Sequence, residues 1–574
     1  METLERQPPK ARDSWSLTRG LAWVKERPEV VLFVCVVVGM VFNLWETRGQ
    51  TFFSDEWSRF LYADKSVGGL LRGHTGHLVL LNTILYKALL VAFGAHSYAP
   101  YRIAEALLLG ACSVLFYALA RSWAEPWLCV AAAVLLLFLG SSVEVTATPT
   151  GTVNLMPIAF GLAALLCLQY RPKHGDLLAC LLLIAAVASH SDGLAFLVGA
   201  AVMLALQSGR RALGRSWVVW IPALLYVTWL AWYRLATTST TQQVVHGDNF
   251  GSIPSTIVAA AATGLSAISG LFGSAESTSF NLDAGYMLLG LLVVGVAWWV
   301  SSGRPLRREF WVALALGLAF WALLGTVVTA ERPATASRYI YPSAVFLLLI
   351  ILALVGRVRM TRRVAWVTAG VLLVALVPNV VALNDQARKI RGLAAVERAD
   401  LGAVELLRNE VPPDSIPDLV RGARIIRVGG PGFRFPAITY FNGVLRYGSP
   451  ATSPPALATA AEPQRRAVDK VLLQGHDLTL SNASGRGAAA RDCRPAFGPS
   501  ANGDRTFVVP DAGLVIRPRG SRSGLDVEAR RFATAFQRLD VPDGSGALVL
   551  RPGSSQEVRS WQVRVSGGIV CQPG

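Results

Sequence analysis

From its N-terminus the chain alternates long apolar runs with short polar breaks as far as residue 383, and then changes character. The apolar runs are 30–45, 100–120, 126–142, 153–170, 176–190, 193–208, 216–235, 284–302, 309–329, 340–356 and 363–383. Each approaches the roughly 20 residues an α-helix needs to cross a bilayer core, which predicts eleven spans. Two other stretches are apolar without clearly crossing. One is 76–94, which contains Asn82 and Lys87; the other is 256–273, a small-residue stretch inside the Ser/Thr-rich loop 236–283. Beyond residue 384 the pattern of Leu393, Val396, Leu401, Val404 and Leu407 predicts a helix over 386–410. Short Val/Ile/Leu runs at 425–428, 472–473, 513–516, 547–550 and 563–565 come next, broken by Gly, Pro and Asp, and predict a small β-rich domain.

Charge places the loops. If 76–94 does not cross, the short loops near 121, 171, 210, 304 and 360 share one side and hold thirteen Lys and Arg. The opposite loops then hold Arg332 and Arg338, with Arg234 at the end of its span. A crossing at 76–94 would reverse that bias, so the segment is expected to lie along the outer surface. The N-terminus is then cytoplasmic and the C-terminal domain extracytoplasmic. Three regions result: a basic cytoplasmic segment 1–28, a membrane domain 29–383 with an external loop 46–99, and a soluble outer domain 384–574. The first external loop carries Arg48, Arg59, Lys65, Arg72 and Lys87, against the usual bias, which asks for a functional reason.

Composition agrees. Of 574 residues 53% are hydrophobic and 16% charged, and mean hydropathy is +0.44, too apolar for a soluble chain of this length. The net charge of +17 is explained by cations gathered on one side of a membrane, so no nucleic-acid partner is expected. Five of the seven cysteines fall in apolar runs. Cys493 and Cys571 stand in the polar tail, where an outer location allows a disulfide.

The candidate chemistry begins at Phe52-Phe53-Ser54-Asp55-Glu56-Trp57. Adjacent carboxylates close to hydrocarbon are costly and commonly mark function. Ser54 followed by two acids is also a good helix start, and both readings stand on sequence. Arg59 lies one turn beyond Asp55 and can hold it ionised, as a general base must be, with Trp57 turned toward lipid. His74-x-x-His77 puts two imidazoles on one side of a turn. No third ligand has zinc spacing, so no metal and no cofactor is expected; hydrogen bonding to a phosphate or sugar suits the pair better, and a plain interfacial role better still. Glu144 and His190-Ser191-Asp192 are polar groups in otherwise neutral outer turns. Arg338, followed by Tyr339, sits at the outer start of a span, where an Arg can grip phosphate through two N–H groups or snorkel to lipid headgroups.

The acidic pair just past the first span, the surface-lying apolar segment before the second and the outer C-terminal domain together resemble the GT-C superfamily of glycosyltransferases. These enzymes use polyprenyl-phosphate sugars. The likeness covers about 29–383 in layout, and its motif is Asp55-Glu56. It implies transfer with inversion from a lipid-linked sugar to an extracytoplasmic glycan, lipid or protein, at the plasma membrane. Asp55 and Glu56 would be catalytic, with Arg59, Arg72, His74, His77, Glu144, His190, Asp192, Arg338 and Tyr339 around the substrate and its phosphate. An outer C-terminal domain of this kind can bind carbohydrate. The competing reading is a transporter or flippase of lipid-linked saccharides. Against it, the spans hold almost no acids away from their outer ends, Glu105 excepted, and no pair of Gly/Pro-broken helices marks a midplane site.

Overall fold

The computed structural model describes residues 26–573, leaving out 53–55, 62–69, 72, 74–75, 171, 209–211, 237–246, 276–279, 330–332, 409–436, 484–489, 496–504, 521–523, 545 and 554–557. Its helices longer than one turn are α1 (Pro28–Glu46), α2 (Glu56–Leu61), α3 (Leu80–Phe93), α4 (Ala99–Ala120), α5 (Pro126–Leu137), α6 (Thr152–Tyr170), α7 (Gly175–Ser189), α8 (Gly193–Ser208), α9 (Trp217–Ala236), α10 (Ile253–Ser269), α11 (Asp283–Ser301), α12 (Arg308–Gly325), α13 (Ser337–Val355), α14 (Arg362–Leu406), α15 (Ala437–Tyr447) and α16 (Glu462–Gln474). Among the described residues ten helical stretches are long and apolar enough to cross a membrane. Nine of them match predicted spans. The other two predicted spans, α7 and α8, are apolar but shorter.

Hydrogen bonds sort the loops into two ends. Arg307 Nη1 donates to the Trp123 carbonyl at 2.6 Å, and Arg357 Nη2 reaches the Ser122 carbonyl at 3.5 Å. The turns near 122, 305 and 357 therefore share the arginine-rich end. At the other end Ser142 Oγ donates to the Ser337 carbonyl at 2.9 Å, and Gln50 Nε2 to the Ala147 carbonyl at 2.8 Å. This is the grouping that the charge count predicts.

The tenth long apolar stretch contains α10, and its ends decide its role. Just before α10, Asn249 Nδ2 donates to the Thr326 and Val328 carbonyls beyond the end of α12. At its C-terminus Ala267 O accepts from Asn379 Nδ2 at 2.9 Å, while Asn379 Oδ1 accepts from Ser141. Thr326, Val328 and Ser141 all belong to the end opposite the arginines. Both termini of α10 thus sit at one end of the bundle, and its length does not make it a span.

Helix α3 behaves likewise. His77, just before it, contacts Ser191 in the α7–α8 turn, and Ala95, just after it, donates to the Tyr447 carbonyl at 2.6 Å. It buries Asn82, Tyr86 and Leu90 against the protein, so it is not a free interfacial helix.

Helix α14 corrects two expectations. The last predicted span and the predicted 386–410 helix are one helix of 45 residues, about 67 Å long, more than twice the bilayer core. Its first half is apolar and its second half carries the C-terminal unit. Leu472 and Leu473, read as a strand, lie in α16, because Val468, Val471 and Leu472 recur at helical spacing on its buried side. The run at 425–428 lies outside the described residues.

The other predicted strands form. One antiparallel sheet runs β1 (Leu478–Asn482), β7 (Leu548–Pro552), β4 (Leu514–Pro518), β9 (Gly568–Pro573), β2 (Ala490–Pro495). The second runs β3 (Thr506–Val508), β8 (Gln562–Ser566), β5 (Asp526–Arg530), β6 (Gln537–Arg538). Buried residues of both sheets join one core, so they face each other. Cys493 and Cys571 are disulfide-bonded across β2 and β9. Asp469 of α16 accepts three successive backbone N–H groups, of Arg531, Phe532 and Ala533. That bond set, with the buried Arg531–Asp477 pair, fixes the sheets to the helices.

Candidate functional site

The core of the C-terminal unit does not stop at its boundary. It continues into Phe52, Trp57, Phe60, Tyr86, Tyr98 and Tyr101 of the 46–99 loop region and the start of α4. The acidic stretch is therefore clamped between bundle and C-terminal unit. Trp57, expected to face lipid, is 3% exposed, because its ring packs on Phe52, Phe60 and Tyr440 and its indole finds a partner on α14.

Glu56 opens α2 and is fully buried. Tyr98 Oη donates to its Oε1 at 2.9 Å, and the Tyr86 hydroxyl donates to the same oxygen. Phe52 closes the cage, with its ring centroid 5.1 Å from Tyr98 and 5.0 Å from Tyr101. The Arg59 guanidinium lies 4.7 Å from the centre of the Tyr86 ring. A buried carboxylate needs such donors, since an unsatisfied one costs several kcal/mol. Asp55, Arg72 and His74 lie outside the described residues.

One turn along α4 from Tyr98 a buried polar network begins that the sequence did not single out as a unit. Arg102 pairs with Glu105 and donates to Thr47 Oγ1 at 3.1 Å and Asn43 Oδ1 at 2.7 Å. Asn43 in turn donates to the Thr146 carbonyl. Glu46, at the end of α1, pairs with Arg391 of α14 at 3.3 Å. The first span, the second and α14 are thereby tied at the end where the C-terminal unit docks.

A second polar cluster surrounds the α7–α8 turn. His77 Nδ1 lies 2.5 Å from Ser191 Oγ, and the His77 and His190 rings meet with centroids 4.4 Å apart and planes tilted by 34°. His190 Nδ1 is 3.0 Å from Asp192 Oδ1, and Asn154 Nδ2 donates to Asp192 Oδ2 at 3.0 Å. Asp192 lies in the turn between two spans. Burial pushes its carboxyl up, but the His190 charge and the bonds from His190 and Asn154 outweigh it and hold the group below the usual range. Helix α3 bridges the two clusters: His77 lies just before it, Asn82 bonds Thr152 Oγ1 at 2.7 Å, and Tyr86 reaches Glu56.

Glu144 and Arg338 meet at the same end of the bundle, with Arg338 Nε 3.8 Å from Glu144 Oε2 and its guanidinium 5.4 Å from the Tyr339 ring centre. Among the described residues no group of three His, Cys, Asp or Glu is placed to hold a metal ion.

Two acids escaped the sequence reading. Glu397 and Asp400 lie on α14 and are 4% exposed each. The signal was present: counted from Leu393 and Val396, both occupy the buried face of the predicted helix four residues on. An acid on an apolar face is the pattern that marks it.

No family model matches the chain, and no curated protein matches it. Among solved structures it is similar to the archaeal oligosaccharyltransferase AglB from Archaeoglobus fulgidus, in complex with an inhibitory peptide and a dolichol-phosphate. The identity is 11%, the match covers 80% of this chain and 70% of that one, and the TM-score is 0.39.

Proposed function

We propose that the chain is a membrane glycosyltransferase of the GT-C type, transferring a sugar from a polyprenyl phosphate to an extracytoplasmic hydroxyl acceptor with inversion. The observation that carries this reading is the anchoring of Glu56, buried and bonded by Tyr86 and Tyr98 at the bundle end away from the arginine-rich loops. Two hydroxyl donors spent on a carboxylate beside a membrane exceed what a helix start requires.

In this reading Asp55 is the general base. It takes the acceptor's hydroxyl proton as that oxygen bonds to the anomeric carbon. The bond from that carbon to the phosphate oxygen breaks on the opposite face, and its electron pair leaves with the polyprenyl phosphate. The Arg338 guanidinium and the N–H donors of the His77–His190 pair, at the same end, stabilise the charge gathering on the phosphate. Glu56 anchors rather than abstracts. The loops bearing thirteen cations face the cytoplasm, so the reaction face and the C-terminal unit lie outside.

The test is donor cleavage. The purified protein in lipid nanodiscs, given polyprenyl-phosphate sugars of several kinds with hydroxyl acceptors, should release polyprenyl phosphate from at least one. Movement of intact lipid-linked saccharide across proteoliposomes, without cleavage of any donor, would instead establish a flippase.

A further inference from the structure

We infer that Glu397 is a positioning residue for the acid-bearing loop, holding Trp57 and with it α2 against the C-terminal unit. This rests on the proposed site at Asp55 and Glu56. The Trp57 indole Nε1 donates to Glu397 Oε1 at 2.6 Å, and both side chains are buried. Trp57 is the next residue after Glu56, so a shift of the indole carries the Glu56 carboxylate with it. Glu397 sits 14 residues past the apolar end of α14, about 21 Å beyond the membrane segment, and belongs to the half of the helix on which the C-terminal unit is built. The contact therefore connects the state of that unit to the site.

The chemistry of the joint makes the contact sensitive to proton activity. Burial raises the Glu397 carboxyl to about 8; the Trp57 bond opposes this and nearby Asp400 adds to it. Burial raises Asp400 to about 7, with Lys470 of α16 opposing, and neither Asp400 oxygen has a hydrogen-bond partner among the described residues. The other charged groups around the joint are Arg398 and Glu405 on α14, the latter reached through Tyr440, and Glu56 and Arg59 within two residues of Trp57. At neutral pH a protonated Glu397 suits the apolar setting of Phe60 and Tyr440 and still accepts from the indole. Its folded value lies above the ordinary carboxyl range. The stability it contributes is complete below that range and is lost as pH rises through about 8. Ionised Glu397 then stands one turn from ionised Asp400, and the two repel in a buried setting.

The experiment reads Trp57 directly. The full chain carries 16 tryptophans and is labelled with 5-fluorotryptophan, and the Trp57 resonance is identified by its loss in Trp57→Phe. In the wild type that resonance should titrate with a midpoint of about 8, and in Glu397→Gln, which keeps the acceptor oxygen and cannot ionise, it should not. Donor turnover should fall on the alkaline side in the wild type, and Glu397→Gln should move that limb up by about one pH unit or more while keeping the neutral rate. Glu397→Ala leaves the buried indole without its acceptor, and should lower turnover at every pH with the C-terminal unit still folded. A Trp57 resonance that does not titrate, or one that titrates unchanged in Glu397→Gln, would overturn the inference. A wild type that cleaves no donor while its Trp57 signal titrates as expected would sink the glycosyltransferase reading and leave the tie between α2 and the C-terminal unit standing.

Discussion

Tyr98, the residue that leads into α4, donates a hydrogen bond from its hydroxyl to the carboxylate of Glu56 at 2.9 Å, in a cage closed by Phe52 and Tyr86. This divides the acidic pair into an anchor and its neighbour. Glu56→Ala should lower thermal stability by roughly 1–3 kcal/mol for each tyrosine hydroxyl left buried without its acceptor. Asp55→Asn should stay as stable as wild type and lose about 10²- to 10⁴-fold in donor turnover. Thermal unfolding and single-donor kinetics on the same preparations separate the two, and an active Asp55→Asn enzyme ends the assignment of the base.

Because both ends of α10 bond to the end of the bundle opposite the arginines, the stretch 253–269 should leave α11 and the later helices on the sides that the charge count gives them. Single cysteines placed at the exposed positions 281 and 453 should react with an impermeant thiol reagent from outside, and one at 305, equally exposed, should not. Labelling at 305 from outside would invert the arrangement.

Gly140 lies against α14. A Cβ at this position would stand 1.9 Å from the Asn379 carbonyl oxygen and 2.4 Å from the Leu383 nitrogen. Gly140→Ala must push α14 from the 140–142 turn and strain the Asn379–Ser141 bonds. The expected cost is about 1–3 kcal/mol, read as a lower midpoint in detergent unfolding. An unshifted midpoint would mean that the helix is not seated there.

The Cys493–Cys571 bond closes a separation of 78 residues between β2 and β9. Reduction, or a paired Cys→Ser change, should destabilise the sheet domain by roughly 2–4 kcal/mol and leave the membrane helices folded. Intact-mass analysis under oxidising conditions should find no free thiol on these two residues.

Arg338 contacts Glu144 and Tyr339 at the start of α13. If it grips the donor phosphate, Arg338→Lys keeps the charge but loses the two-pronged contact, and KM for donor should rise about tenfold or more. Wild-type KM in Arg338→Lys would make the residue a partner of Glu144 alone.

The amino-acid order alone determined where the helices run, because eleven apolar stretches of nearly membrane length, with cations on alternate turns, admit few other arrangements. It also marked 513–516, 547–550 and 563–565 as strands and paired the two tail cysteines. It could not set the surroundings of Trp57 or Glu56, because a residue beside a membrane span reads the same whether lipid or another domain covers it. Covering came from α14, whose apolar first half passes without a break into a face carrying Glu397 and Asp400; the change to charged residues beyond 384 made it look like two elements. For α10 the sequence offered a second surface helix over 256–273 but no proof against a span, since length and hydropathy are equal for a crossing helix and one whose two ends are held by Asn249 and Asn379. Contacts between residues 77 to 238 positions apart decided that, and local pattern carries no record of them.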